Sequence, residues 1–232
     1  MLPAPWVERG SALRRGRRRD LRRPFVKDEF AIVLDYMPLG NPLDRHPHHR
    51  RMPIAQAIGS KYFTLVEIEP LANTPLAIGE RVPIASRPEL PGHPVADRIA
   101  YSDLTSVAKE NLPQILRRIV MEKERVFVEF FNVAEPINIR LHSLELLPGI
   151  GKKTLALILE ERKKKKFESF NDIRERLRIN DPVKLFVDRI LLELQGTEKY
   201  YLFVDPYPPN PDQRKLGYLE YLYKITEYRD PW

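Results

Sequence analysis

Leu144-Glu-Leu-Leu-Pro-Gly-Ile-Gly-Lys-Lys153 is the stretch on which the reading of this chain turns. Apolar residues stand at helical spacing on both sides of it, Leu141, Leu144 and Leu147 before and Leu155, Ile158 and Leu159 after. Two apolar helices are therefore expected, broken by Pro148-Gly149-Ile150-Gly151, with positive φ open to either glycine. Ile150 is placed to insert between the helices and set their angle. Without a Cβ at Gly149 or Gly151, a ligand backbone can approach the chain closely. The second helix would begin with unpaired backbone N–H groups, the positive end of its dipole, Lys152 and Lys153, and these together form a phosphate site.

This arrangement is the helix-hairpin-helix motif, which holds nucleic-acid backbone without reading bases. A monovalent cation held by the carbonyls of residues 148–151 is compatible with it, and no other cofactor is expected. A plain packing hairpin is the alternative, but packing alone does not need lysines directly after the glycines. Arg162-Lys-Lys-Lys-Lys166 follows about 15 Å along the helix by its rise. It reads equally as a solvated cationic helix end or as a further phosphate contact through Lys163, Lys164 and Lys165. Beyond it, Phe167–Leu194 has the outline of a second hairpin, with Asn180-Asp181-Pro182 where glycines would stand. Asp181 makes phosphate binding there improbable, so this half is expected to be structural.

Working outward, residues 28–101 read as β structure. Phe30–Tyr36 is a short apolar run, Lys61–Glu69 alternates, and Gly79–Ala85 and Val95–Tyr101 supply further strands between turn residues. That spacing suggests a small OB-like barrel, with Tyr36, Tyr62, Phe63, Arg50 and Arg51 as barrel contacts to nucleic acid. Residues 102–136 read as a helical connector, one helix capped by Asp103 and running to Leu112, the next opened by Pro113. Val126–Val133 fits helix or strand. The fold class expected is α+β: barrel, connector, an all-α tandem hairpin domain over 137–196, and a Tyr/Pro-rich tail over 197–232. The tail holds seven of ten tyrosines, with helical spacing over Leu216–Tyr228. Too aromatic to float free, it should pack on its own chain or dock on a protein partner.

The net charge of +7 is unevenly spread. Residues 1–27 form a basic arm in which Arg9, Arg14, Arg15, Arg17, Arg18, Arg19, Arg22 and Arg23 face only Glu8 and Asp20 up to residue 24. That composition cannot fold alone; it reads as a solubilising tail, a transit peptide, or an arm that threads between anionic strands. Residues 137–196 carry 13 basic and 9 acidic side chains, while the remaining segments are slightly acidic. The absence of cysteine excludes disulfides, thiolate catalysis and thiolate metal sites. No apolar run approaches the ~18 residues of a membrane span, so a cytoplasmic protein is expected. His46, His48 and His49 invite a metal, but Arg45, Arg50 and Arg51 oppose an added cation. Asp35 and Asp44 could hold Mg²⁺ in a nuclease, without the companions such a site needs. Neither is adopted: no metal and no catalytic residue is expected.

The chain resembles the archaeal family of unknown function numbered 655. The resemblance is carried by Val33-Leu-Asp-Tyr-Met-Pro-Leu-Gly-Asn-Pro42, Tyr62-Phe-Thr-Leu65, Gly79-Glu-Arg-Val82, Arg125-Val-Phe-Val-Glu-Phe-Phe-Asn132, Arg140–Lys153 and Glu160-Glu-Arg-Lys163. It covers roughly residues 28–196 and implies an archaeal, cytoplasmic, nucleic-acid-binding protein. Within it, RNA and the ribosome or its assembly are favoured over DNA. Ribosomal proteins are conceivable partners for the arm and tail, and the family supplies no catalytic residues. A DNA-repair or replication protein using the same hairpin, and a protein-interaction scaffold, are the alternatives.

Overall fold

The computed structural model describes residues 26–42, 47, 49–71, 74–84 and 95–231. The first half is built from five short strands: β1 (Phe30–Met37), β2 (Ile54–Gly59), β3 (Leu65–Glu69), β4 (Arg81–Pro83) and β5 (Val95–Arg98). They form one antiparallel sheet in the order β4-β1-β2-β3-β5. The pleat sends alternate residues to opposite faces. Ile32, Leu34, Ile58 and Leu65 enter the large core shared with the helices. Ala31, Val33, Ala55, Ala57, Val66, Ile68, Val82 and Ala96, from all five strands, form a second, smaller core. Gly59 is required by close approach, because a Cβ there would lie 2.1 Å from the carboxyl group of Asp28.

The coarse class expected, α+β, holds, but the described residues show no closed barrel. The four pairings are all antiparallel, and five strands cannot close with antiparallel neighbours throughout. Closure would set β4 and β5 side by side in parallel; among the described residues these two strands stand at opposite ends of the sheet order and do not pair.

The helical half begins after a 3-10 turn at Tyr101–Asp103. α1 (Ser106–Glu122) is capped by Thr105, whose hydroxyl accepts the Ala108 N–H, and not by Asp103 as expected. Pro113 does not break it. One continuous face, Ala108, Leu112, Ile115, Leu116, Ile119 and Val120, is buried against β1 and the later helices, and that burial outweighs the hydrogen bond a proline removes. The break falls at Lys123, before α2 (Glu124–Val133).

A short hairpin, β6 (Pro136–Asn138) and β7 (Leu141–His142), follows, then a 3-10 turn over Ser143–Leu146. An α-helix through Leu141–Leu147 was expected; the chain is instead extended to His142, whose ring Nδ1 accepts the Leu144 N–H and caps a single turn. α3 (Lys152–Lys164), α4 (Phe170–Leu177) and α5 (Pro182–Gln195) come next. Ser169 caps α4, as expected, and Asp181 caps α5. β8 (Tyr200–Tyr201) pairs in parallel with β9 (Arg214–Lys215), and α6 (Tyr218–Ile225) is shorter than the spacing suggested.

Phe186 on α5 is the centre of the helical core. Its ring lies 4.9–6.1 Å, centroid to centroid, from Phe127, Phe130, Phe131, Phe170 and Phe203, so it joins α2, α4 and the C-terminal segment. The tail packs on its own chain. Tyr201 is fully buried, and the Tyr218 hydroxyl accepts the Glu135 N–H at 3.0 Å. The Glu193 carboxylate accepts the N–H groups of Leu202, Phe203 and Val204 and the Nε of buried Arg189. Burial pushes the Glu193 pKa up, against the pull of the guanidinium and those N–H groups.

Candidate nucleic-acid interface

Gly149 has φ +89°, where a side chain would be strained, with Leu185 Cδ2 3.9 Å from a Cβ built there. Gly151 is extended, not left-handed, and serves as the N-cap of α3 without a side chain to close it. A Cβ on Gly151 would meet nothing within 4 Å. The fold therefore needs glycine at 149, whereas at 151 it does not. Ile150 is buried, as an inserted wedge should be. Arg189 Nη1 donates to the Leu146 carbonyl at 3.2 Å, and the Ile150 N–H donates to the Leu147 carbonyl at 3.1 Å. Two carbonyls at the loop's entrance are thus already engaged by the chain itself.

The first turn of α3 stays open. α1, α4 and α5 each receive a capping oxygen from Thr105, Ser169 and Asp181. At α3 the N–H groups of Lys152, Lys153 and Thr154 precede the first intrahelical bond, made by the Leu155 N–H to the Gly151 carbonyl at 2.8 Å. The two lysines then diverge. Lys152 Nζ is held by Glu145 Oε1 at 2.8 Å and donates to the Arg140 carbonyl at 2.9 Å. Lys152 and the His142 N–H hold the Glu145 carboxyl below its usual range. Lys153 is exposed and makes no ion pair or side-chain hydrogen bond among the described residues.

The later lysine run divides the same way. Lys164 pairs with Glu160 and Glu161, Lys165 with Glu168 and Lys166 with Glu129. Arg162 donates to the Phe131 and Ala134 carbonyls at the end of α2. Only Lys163 of this run is left without a described partner. The reading of Lys164 and Lys165 as phosphate contacts is weakened accordingly, because both are compensated within the chain.

Of the barrel contacts, Phe63 is fully buried against Phe127, 6.3 Å away, so it stacks on no ligand. Its backbone is left-handed, with φ +58°. Tyr62 packs edge-on against Tyr223 at 6.0 Å, whereas Tyr36 borders the smaller core. These aromatics do not converge on one surface. Arg50 and Arg51 are exposed between β1 and β2. His49 was expected in a solvated loop; it is buried between Glu67 and Glu69, its Nε2 3.0 Å from Glu69 Oε1. Asp35 accepts the Thr105 hydroxyl at 2.6 Å. No group of three or more metal-ligating side chains occurs among the described residues. Asp44, His46, His48 and the arm arginines Arg14, Arg15, Arg17, Arg18, Arg19, Arg22 and Arg23 lie outside the described residues.

The structure adds Ile139 and Arg140, which the sequence reading did not single out. Asn138 Oδ1 accepts the Arg140 and Leu141 N–H groups and forms a tight turn at the tip of the β6–β7 hairpin. Ile139 there is wholly exposed, and the Lys152 bond to the Arg140 carbonyl pins the turn beside the start of α3. An Asn-x-Arg turn followed by the glycine loop was a readable signal.

Residues 27–205 match the family described as "Protein of unknown function (DUF655)". The chain belongs to the DUF655 family. An uncharacterized protein, MJ0038 of Methanocaldococcus jannaschii, is 42% identical over 184 residues, covering 78% of this chain and 82% of that one. The crystal structure of Af1531 from Archaeoglobus fulgidus is similar, with a TM-score of 0.67 and 42% identity, covering 77% of this chain and 100% of that one. The DUF655 match spans the sheet and α1 to α5 and ends at Asp205, before β9 and α6. Among the described residues no helix is long and apolar enough to cross a membrane.

Proposed function

We propose that this DUF655 protein is a non-catalytic binder of nucleic-acid backbone, with structured RNA favoured over DNA and the archaeal ribosome or its assembly as its setting. The observation that carries this reading is the uncapped start of α3. Three backbone N–H groups, an unpaired Lys153 and a glycine whose missing Cβ nothing in the fold demands stand together. A phosphate would take the place of the missing cap, between the N–H groups and the ammonium. Residues 143–164 then act as a helix-hairpin-helix unit whose first helix is reduced to one turn. Arg140 flanks it as a second cation, while Lys152 keeps the hairpin tip in place by bonding Glu145 and the Arg140 carbonyl.

In the second hairpin, the Asp181 carboxylate caps α5 and pairs with Arg117 at 2.7 Å, so a side chain already fills the position a phosphate would take. The sheet shares the β1-β2-β3 meander of an OB-like barrel, and its β1–β2 end, with Arg50, Arg51 and Tyr36, would meet a neighbouring segment of RNA. The arm would add sequence-independent charge, and its deletion should flatten the salt dependence of binding.

Competition between structured ribosomal RNA and duplex DNA for the full chain at matched salt tests the assignment. RNA should displace DNA at lower concentration. Preference for the duplex would move the protein to DNA maintenance, and binding of neither would leave a protein scaffold.

A further inference from the structure

A second feature on α5 lies away from the hairpin. A cleft of about 480 Å³ opens between the C-terminal turn of α5, the 3-10 turn at Tyr101–Asp103 and the Pro-rich loop after Asp205. That volume lies in the range of small-molecule sites. Tyr101 and Tyr207 line it together with Ser102, Gln195, Asn210 and Gln213.

Each tyrosine carries a cation over its ring. The Arg98 guanidinium lies 4.6 Å from the Tyr207 centroid and Lys109 Nζ 5.5 Å from that of Tyr101. The amides are differently committed. Gln213 Nε2 donates to the Gly196 carbonyl and Asn210 Oδ1 accepts the Asp212 N–H. Gln195 is exposed with no described partner, and the Asn210 Nδ2 group is likewise unengaged.

We infer that this cleft receives one unstacked nucleobase of the strand whose backbone the hairpin holds, with the base against Tyr101 or Tyr207 and its edge facing the Gln195 and Asn210 amides. The inference rests on the backbone-binding reading above. Aromatic rings give any base a π-face to stack on, and the side-chain amides can both donate to and accept from a base edge. Arg98, which also donates to the Asp205 carbonyl at 2.7 Å, and Lys109 place positive charge beside the rings, on the side that the phosphates flanking a stacked base would take. A proline-rich peptide also uses aromatic-lined grooves, but it has no anionic backbone to meet those two cations. The hairpin end of α5, near Leu185, and the cleft end, at Gln195, are separated by about 15 Å of helix. That distance is short enough for a few nucleotides to join the two points.

The test uses the full chain and a single-stranded RNA of about 12 nucleotides, long enough to reach both points, carrying one 2-aminopurine. Binding should quench the 2-aminopurine fluorescence. Tyr101→Ala and Tyr207→Ala should weaken binding by roughly 5- to 150-fold where the altered ring stacks and relieve the quenching. Phenylalanine at either position should preserve both signals, which separates ring stacking from a loss of folding. An abasic site at the probed position should weaken wild-type binding to the same extent. Equal affinity of the alanine variants and wild type, with Lys153→Glu still weakening binding, would overturn the cleft and leave the hairpin reading intact. Displacement of the strand's quenched base by a proline-rich peptide at lower concentration than by RNA would overturn it in favour of a protein ligand. Failure of the wild-type chain to bind any strand would overturn both readings.

Discussion

Replacing Lys123 by methionine should remove a pH dependence that is built into the core. The Lys123 side chain is fully enclosed between α1, α2 and the C-terminal segment. Its Nζ donates to the Tyr223 hydroxyl at 3.1 Å and to Asp230 Oδ1 at 3.3 Å, and lies 5.0 and 4.8 Å from the ring centroids of Tyr223 and Tyr228. Burial pushes its pKa down from 10.5 to about 8, with Asp230 pulling the other way. Below pH 8 the amine is charged in both states, and folding bears the cost of enclosing the charge. As pH rises from 8 towards 10.5, the folded chain releases a proton that the unfolded chain keeps, so stability increases.

The whole gap corresponds to roughly 3 kcal/mol at ~1.4 kcal/mol for each tenfold change in affinity. About 2 kcal/mol of it falls between pH 7 and pH 9.5 by the same linkage. Tyr223 and Tyr228, both raised by burial, oppose the trend only above about pH 10, where unfolded phenols ionise. Urea unfolding of wild type and Lys123→Met at the two pH values gives the difference directly. The stability gap between the two proteins should shift by about 2 kcal/mol in favour of wild type as pH rises. An unchanged gap would refute the account of Lys123 as a caged, desolvated amine.

Four further substitutions follow from the packing and the loop geometry. Phe186→Ala should cost about 3–5 kcal/mol in urea unfolding, since five phenylalanine rings lose their common neighbour. Glu193→Gln should cost about 3–5 kcal/mol, because it leaves buried Arg189 without its carboxylate and presents an NH₂ group to backbone donors. Gly149→Ala should lose about 1–2 kcal/mol of stability at its positive φ. Gly151→Ala should stay within about 1 kcal/mol of wild type by thermal unfolding, yet weaken nucleic-acid binding by placing a methyl group where the backbone would approach.

Much of this was legible before any coordinates, and the misses have physical causes. β1 and β3 announce themselves through apolar runs and alternation. β2 does not, because Ile54-Ala-Gln-Ala-Ile-Gly59 is buried on both faces and so has no alternation to show; its Gln56 is held inside by Glu67, Thr105 and the Asp103 carbonyl. Pro113 misled because its local cost was visible and the continuous buried face of α1 was not weighed against it. The loop around Gly149 and Gly151 was found from the order Pro-Gly-Ile-Gly-Lys-Lys between two apolar runs. Which lysine stays free was not readable, since Lys152 meets Glu145 only after the intervening turn folds as a 3-10 segment instead of an α-helix. Phe63 looked like a surface aromatic beside Tyr62, but it is fully buried at a positive φ that the sequence does not show.

The central claim is that the open start of α3 holds phosphate, and the salt dependence of binding measures it most directly. Affinity of the full chain for structured RNA should be followed by anisotropy across a range of salt concentrations for wild type and Lys153→Glu. Wild type should bind with log affinity falling steeply and linearly against log salt, and the variant should bind more weakly, with the slope reduced by about 1. Equal affinity and slope for the two proteins, or no binding by wild type at low salt, would contradict the account.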